Sequence, residues 1–315
     1  MKSSIQKLIE ISNKSKRKIL GLMSGTSLDG LDIALCEIEG NGLNTSIQLL
    51  HFVTISYEQV FKEMILTVFS KKTIESEKLC LLNEHIGIQH AQLINETLKK
   101  WGVKNEEIDL IASHGQTIYH APFTLHQDKE FGNGTLQIGD GDQIAVKTKI
   151  ITISDFRQKH VAAGGEGAPL ATYGDYILFA DQKKDRILLN IGGIANLTSI
   201  PADSDFGKVT STDTGPGNTL MNVWAKKHFE KMDYDQNGSI ANQGKINQNL
   251  LQQFLNHQFF SKSFPKTSGP EIFNLDYIEK SLESLSSENL TKEDVMATLN
   301  ELTALSICKA IDFYL

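Results

Sequence analysis

Short apolar runs separated by glycine-bearing turns fill the first two thirds of the chain, and helical spacing takes over in the last third. Ile19 to Met23 is apolar, Ser24 to Gly30 (SGTSLDG) is small and polar, and Leu31 to Ile38 alternates, with Leu31, Ile33 and Leu35 set against Asp32 and Cys36. Two extended segments around such a turn predict a β-hairpin. Tyr57 to Ser70 and Ile74 to Lys100 carry helical spacing; in the second, Leu79, Leu82, Ile86 and Leu93 recur at intervals of three, four and seven. Ile108 to Ala112 predicts a short buried strand ending in Ser113-His114-Gly115-Gln116. Gly132 to Gly141 reads as a turn, and Ile150 to Ile153 as a strand running into Ser154-Asp155-Phe156-Arg157.

Val161 to Pro169 is too rich in glycine for regular structure. Arg186 to Leu189, Asn190-Ile191-Gly192-Gly193 and Ile194 to Ile200 repeat the strand–turn–strand pattern, and Thr212 to Asn218 (TDTGPGN) reads as a loop opening a helix from Thr219 to Phe229. From Lys245 onward the spacing is mostly helical. The final helix, Thr291 to Leu315, opens on a capping-box pair, Thr291 and Asp294, and sets Val295, Leu299, Leu302, Leu305 and Ile311 on one face. Before the first strand, Met1 to Lys18 is polar and basic and reads as a short helix or extension with a small stripe of Ile5, Leu8, Ile9 and Ile11. The order predicts an α/β protein of two lobes with mixed sheets, 1–130 and 131–315, each holding one glycine-turn hairpin.

Bulk properties narrow the function class. A chain of 315 residues with 40% hydrophobic residues suits two domains with a sizeable core. The formal charge of −7 argues against a nucleic-acid or anionic-membrane partner. Cys36, Cys80 and Cys308 form no paired motif, as reduced thiols in a cytoplasmic protein would not. No apolar run approaches the about 20 residues of a membrane span, and no apolar stretch of a secretory signal follows the start.

Three clusters carry candidate chemistry. In SGTSLDG, Gly25 permits close approach of backbone N–H groups to an anion, Ser24, Thr26 and Ser27 add hydroxyls, and Asp29 is a carboxylate suited to hydrated Mg²⁺; the plain alternative is a hairpin turn. Gly192 and Gly193, with Asp213, Gly215, Gly217 and Asn218, are a second candidate. They read as anion-binding turns leading to a helix N-terminus, or as turn and cap alone. In SDFRQ, Asp155 at a strand end is a candidate general base, with Arg157 on the same side of an extended segment; the alternative is a structural Asp–Arg pair. His114 reads as a positioning group before a catalytic one. Asp233 to Gly238 opens like a calcium-binding loop, but Gly244 stands where the bidentate Glu belongs.

Read jointly, seven blocks resemble the anhydro-N-acetylmuramic acid kinase family: GLMSGTSLDGLD at 21–32, SHGQTIYHAP at 113–122, TLQIGDGDQIA at 135–145, SDFRQKHVAAGGEGAPL at 154–170, LLNIGGIANLT at 188–198, TDTGPGNTLMN at 212–222 and FPKTSGPEIFN at 264–274. The resemblance implies the actin/hexokinase-like (ribonuclease H-like) fold, with two lobes around a central cleft. It implies ATP and Mg²⁺, opening of the 1,6-anhydro bridge by water with phosphorylation of O6, a role in peptidoglycan recycling, and a homodimer. It implies Asp155 as the catalytic aspartate and Gly21 to Asp29 as the ATP-phosphate turn. It sets Gly192–Gly193 and Asp213–Asn218 on the nucleotide side, and His114, Gln116 and Arg157 near the sugar. The family pattern also continues beyond the final helix with a strand, a triple-glycine loop and a late helix, which do not follow Leu315. That difference leaves a sugar-binding relative without turnover as one rival reading. A second is a hexosamine kinase acting on an open sugar, against which the 154–170 block speaks. A third is an acetal hydrolase needing a second carboxylate beside Asp155, for which Glu166 is the candidate by sequence.

Overall fold

A computed structural model describes residues 3–25, 28–203, 205–269, 272–285 and 289–315. The chain divides into two compact units, Met1–Leu170 and Ala171–Leu315.

The first unit is built on a mixed sheet of β1 (Lys16–Ser24), β2 (Gly30–Glu39), β3 (Ser46–Ser56), β4 (Leu110–Ala121), β5 (Gly134–Ile138) and β6 (Thr152–Ile153). The spatial order is β3-β2-β1-β4-β5, with β6 also paired to β4. The predicted hairpin is present, Leu22 opposite Ile33 and Met23 opposite Asp32. β1 then pairs with β4 in parallel, through Gly21 opposite Ala112. A parallel pair needs a long crossover, supplied by α2 (Gln59–Leu66) and α3 (Ser76–Trp101). On α3 the residues at four-residue spacing, Leu82, Ile86, His90, Ile94 and Leu98, are buried. Gly102, left-handed at φ 69°, ends the helix. The core of this unit joins Ile86 and Ile94 to Leu20, Leu31, Ile33 and Ile111 of the sheet. The remaining helices are α1 (Ser4–Ser12), α4 (Phe123–His126), α5 (Gly141–Thr148) and α6 (Phe156–Ala162). α1 has the Ser3/Gln6 capping box but buries no side chain, and Ile5, Leu8 and Ile9 of its apolar stripe are exposed.

The second unit carries an antiparallel sheet of β7 (Arg186–Ile191), β8 (Ile194–Ile200) and β9 (Thr210–Pro216). Its helices are α7 (Ala171–Phe179), α8 (Thr219–His228), α9 (Gln248–Leu255), α10 (Gln258–Ser261), α11 (Leu275–Glu283) and α12 (Lys292–Tyr314). Leu220, Leu250, Phe254, Phe259, Phe273, Ile278, Met296 and Leu302 form its core. The Thr291/Asp294 capping box is made on both sides. The buried face of α12 runs through Val295, Leu299, Leu302, Ser306 and Ala310, while Leu305 is turned outward. No described helix is long and apolar enough to cross a membrane.

Four expectations change. The division falls after Leu170, not after residue 130, because β5 and β6 both pair with β4 and tie 131–170 to the first unit. Gly134–Ile138, read as turn, is strand β5; its flanking glycines masked a Thr-Leu-Gln-Ile core. Thr210–Pro216 is strand β9 and not a loop. Phe156–Ala162 is a helix, so Asp155 and Arg157 do not share a strand face.

Candidate active site

The turn that follows β1 is tied from beneath by buried side chains. Ser24 is 1% exposed; its Oγ donates to Gln116 Oε1 at 2.5 Å and accepts from the Tyr57 hydroxyl at 2.8 Å. Gln116 is wholly buried, and its amide nitrogen donates to the carbonyls of Gly25 and Thr117, both at 3.2 Å. Tyr57 also meets His90 Nε2 at 2.9 Å. Burial pushes the Tyr57 hydroxyl up to about 12, so it stays protonated. Gly30 closes the turn where only glycine fits, since a Cβ would lie 2.3 Å from the Ile55 carbonyl oxygen. Asp29 is exposed beside it. Thr26 and Ser27, expected to contribute hydroxyls, lie outside the described residues. Gly21 is not part of the turn: β1 runs on to Ser24, and Gly21 sits inside the sheet, in register with Ala34 on one side and Ala112 on the other.

Asp155 stands at the end of β6, where the chain enters α6. Its backbone is left-handed, φ 60° and ψ 35°, a conformation that Asp tolerates better than most residues and that holds its side chain out of both elements. It lines a polar cavity of about 280 Å³ with His114, Gln137, Asp140, Asp142 and Ser154. His114 donates from Nδ1 to the Gly115 carbonyl at 2.9 Å and accepts at Nε2 from Arg157 Nε at 2.8 Å. An arginine can only donate, so the imidazole is neutral with its proton on Nδ1. Burial, and then the Arg157 charge, lower its pKa in agreement. Gly115, at φ +73°, lets the chain pass close to β5, since a Cβ there would lie 2.7 Å from the Ile138 carbonyl oxygen.

The three residues expected near the sugar therefore separate. His114 faces the cavity with Asp155. Arg157 braces His114 and donates from Nη1 to the Gly167 carbonyl at 2.6 Å. Gln116 belongs to the underside of the turn after β1. Glu166 does not line the cavity; it accepts from Thr124. Sequence reading missed Asn83, Gln137, Asp140 and Asp142. The GDGD run inside the 135–145 block was the available signal for the two aspartates. Asp140 caps α5, accepting from Gln143 N at 2.8 Å, and Asn83 Oδ1 accepts from Gly139 N at 3.0 Å.

In the second unit the two glycine turns come together, but against one another. Gly217 N donates to the Gly193 carbonyl at 2.9 Å and Asn218 N to the Gly192 carbonyl at 2.8 Å. Thr219 N, at the start of α8, also donates to Gly193. Three successive N–H groups leading into this helix, those of Gly217, Asn218 and Thr219, are thus engaged by the facing turn. Gly215 is buried against Ser306 and Phe260. Asp213 accepts from Ser268 N at 2.6 Å. Only the side chain of Asn218, the Gly192–Gly193 edge and part of Asp213 are left to face solvent.

Buried His90 makes stability pH-dependent. Desolvation lowers its pKa from 6.5 to about 4. Between these values the unfolded state binds a proton that the native state does not, so stability falls as pH drops through this window. The loss approaches about 3 kcal/mol at its lower end. The thermal midpoint is expected to decline from pH 6.5 towards 4, and His90→Gln to flatten that slope; an equal slope in the variant would assign the acid sensitivity elsewhere.

Comparison with known proteins agrees with the block resemblance. The family described as anhydro-N-acetylmuramic acid kinase matches residues 17–314. The anhydro-N-acetylmuramic acid kinase of Pseudoalteromonas atlantica is 51% identical over 312 residues, covering 99% of this chain and 78% of the relative. That of Pseudoalteromonas translucida is 50% identical with the same coverage. That of Caldanaerobacter subterraneus subsp. tengcongensis is 39% identical over 312 residues, 99% of this chain and 79% of the relative. With the cavity block, the hairpin block and the glycine-turn blocks all inside the matched span, the chain belongs to the anhydro-N-acetylmuramic acid kinase family.

Proposed function

We propose that this chain phosphorylates anhydro-N-acetylmuramic acid with ATP, and that the Asp155 cavity is where the sugar reacts. Asp155 takes a proton from water as the water oxygen attacks the anomeric carbon. The bond from that carbon to O6 breaks, O6 takes the γ-phosphoryl group, and ADP leaves. The product is N-acetylmuramic acid 6-phosphate. The reading is carried by one observation: Asp155, the residue matching the family's catalytic aspartate, is held at a strand end in a polar cavity beside an immobilised neutral His114. His114, lacking a proton on Nε2 and held there by Arg157, suits orientation of the site, not acid catalysis.

A kinase family implies ATP. The turn after β1 is the phosphate-side candidate in this reading. Among the described residues no group of three His, Cys, Asp or Glu side chains could cage a metal. Mg²⁺ commonly binds through one or two carboxylates, waters and the phosphates themselves. The exposed Asp29 fits that mode and would hold the ion through water, and the ion would neutralise charge on the transferring phosphoryl group. We place the reaction in the cytoplasm, where ATP is, in peptidoglycan recycling, and expect a homodimer, which light scattering would report.

The test is coupled ADP release with Mg²⁺ and ATP, with and without anhydro-N-acetylmuramic acid. Sugar-dependent release, with one ¹⁸O from labelled water at the anomeric carbon, is expected. A hexosamine kinase acting on open sugars would give no turnover of the anhydro sugar, which has no free O6. A binding protein would bind it and release no ADP.

A further inference from the structure

Beneath the turn after β1 lies a hydrogen-bonded chain whose direction can be read from its end. Gln116 Oε1 can only accept, so Ser24 donates to it. Ser24 having spent its proton, the Tyr57 hydroxyl donates to Ser24. His90 Nε2 must then carry the proton and donate to Tyr57. Every donor points the same way, from helix α3 through Tyr57 into the turn, and the Gln116 amide passes the chain on to the Gly25 carbonyl. Aligned bonds of this kind polarise one another in a dry interior.

Two features set the chain apart from ordinary packing. His90 Nδ1 is buried without a hydrogen-bond partner, a cost that an apolar residue at this core position would avoid. His90 also stands behind the cavity wall: its Cε1 lies 3.9 Å from where a Cβ on Gly139 would be, and Gly139 lines the Asp155 cavity. The chain thus runs from behind that wall to the turn.

We infer that Tyr57 and His90 are positioning residues for phosphoryl transfer, fixing the Gly25 peptide of the phosphate turn through Ser24 and Gln116. The inference rests on the reading of this turn as the ATP-phosphate site. Neither residue touches a reacting atom; each acts through Ser24, and the polarised chain holds the Gly25 peptide in place before nucleotide arrives. Preorganised donors contribute to transition-state binding more than to ground-state binding.

Tyr57→Phe is the test, because it removes one oxygen while keeping the ring against Phe61 and His90. kcat/KM for ATP is expected to fall about tenfold or more, with KM for the sugar within twofold of wild type. His90→Leu should reproduce this, and His90→Gln, which keeps an N–H donor for Tyr57, should recover most of it. A lowered thermal midpoint with unchanged kcat/KM for ATP in Tyr57→Phe would make the chain structural only and overturn the inference while leaving the functional reading intact. Wild-type protein without sugar-dependent ADP release would overturn the functional reading, and this inference with it.

Discussion

Asp155→Asn is expected to lower sugar-dependent ADP release by about a thousandfold or more, the range a positioned general base contributes. The substitution isolates the chemistry well. Asn tolerates the left-handed backbone of position 155 as Asp does, so the strand end and the start of α6 keep their course. Asp155 does not cap α6 with its side chain, so no helix cap is lost. What changes is the ability to take a proton from water. Binding of the anhydro sugar should stay within about tenfold, measured by calorimetry, because a carboxamide still accepts a hydrogen bond; a drop in rate with unchanged binding removes an interaction made in the transition state. Near-wild-type turnover in this variant would remove Asp155 as the base and turn attention to Asp140 and Asp142, which line the same cavity.

Gly217→Ala is expected to destabilise the second unit by about 2–3 kcal/mol, the scale of overpacking a closed interior. A Cβ at 217 would lie 2.2 Å from the Gly192 carbonyl oxygen and 3.2 Å from Ala195 N, both backbone atoms that cannot swing aside. The seam has no slack on the other side either, because Thr303 Oγ1 of α12 donates to the carbonyls of Pro216 and Gly217, each at 3.0 Å. Denaturant unfolding reports the loss. The same variant separates two roles for this glycine. If Gly217 contacts nucleotide directly, KM for ATP rises with stability unchanged; if it is a close-approach glycine between two turns, stability falls first. The engaged N–H groups of Gly217, Asn218 and Thr219 favour the second outcome.

Much of the local structure was legible. The β1–β2 hairpin followed from period-two alternation around an Asp-Gly turn, and α12 from a capping box ahead of a helical stripe. The lost expectations share a cause. Glycines at 132, 134, 139 and 141 outweigh the four residues Thr135–Ile138 in a turn reading, although those residues form most of β5. In TDTGPGN the glycines that follow the β-branched threonines point to a loop, although those threonines belong to strand β9. The spacing of Leu305 fits the buried face of α12, but the buried stripe passes through Ser306 instead.

Seven blocks in order suffice to identify the family from residues alone, and internal periodicity suffices for the β1–β2 hairpin, for α12 and for Asp155 at a strand end. Which polar residues meet follows from how distant segments pair. Gln116, a sugar-side expectation, lies wholly buried under the turn after β1, because β4 runs beside β1 and brings position 116 opposite Ser24. Arg157 braces His114 because the chain turns helical after Asp155. Asn83 and Asp140 meet because α3 packs across α5. Spacing along a chain fixes what one element presents on each face; which face is desolvated, and which partner satisfies a buried donor, depends on pairings between segments as much as 92 residues apart, as in Ser24 and Gln116.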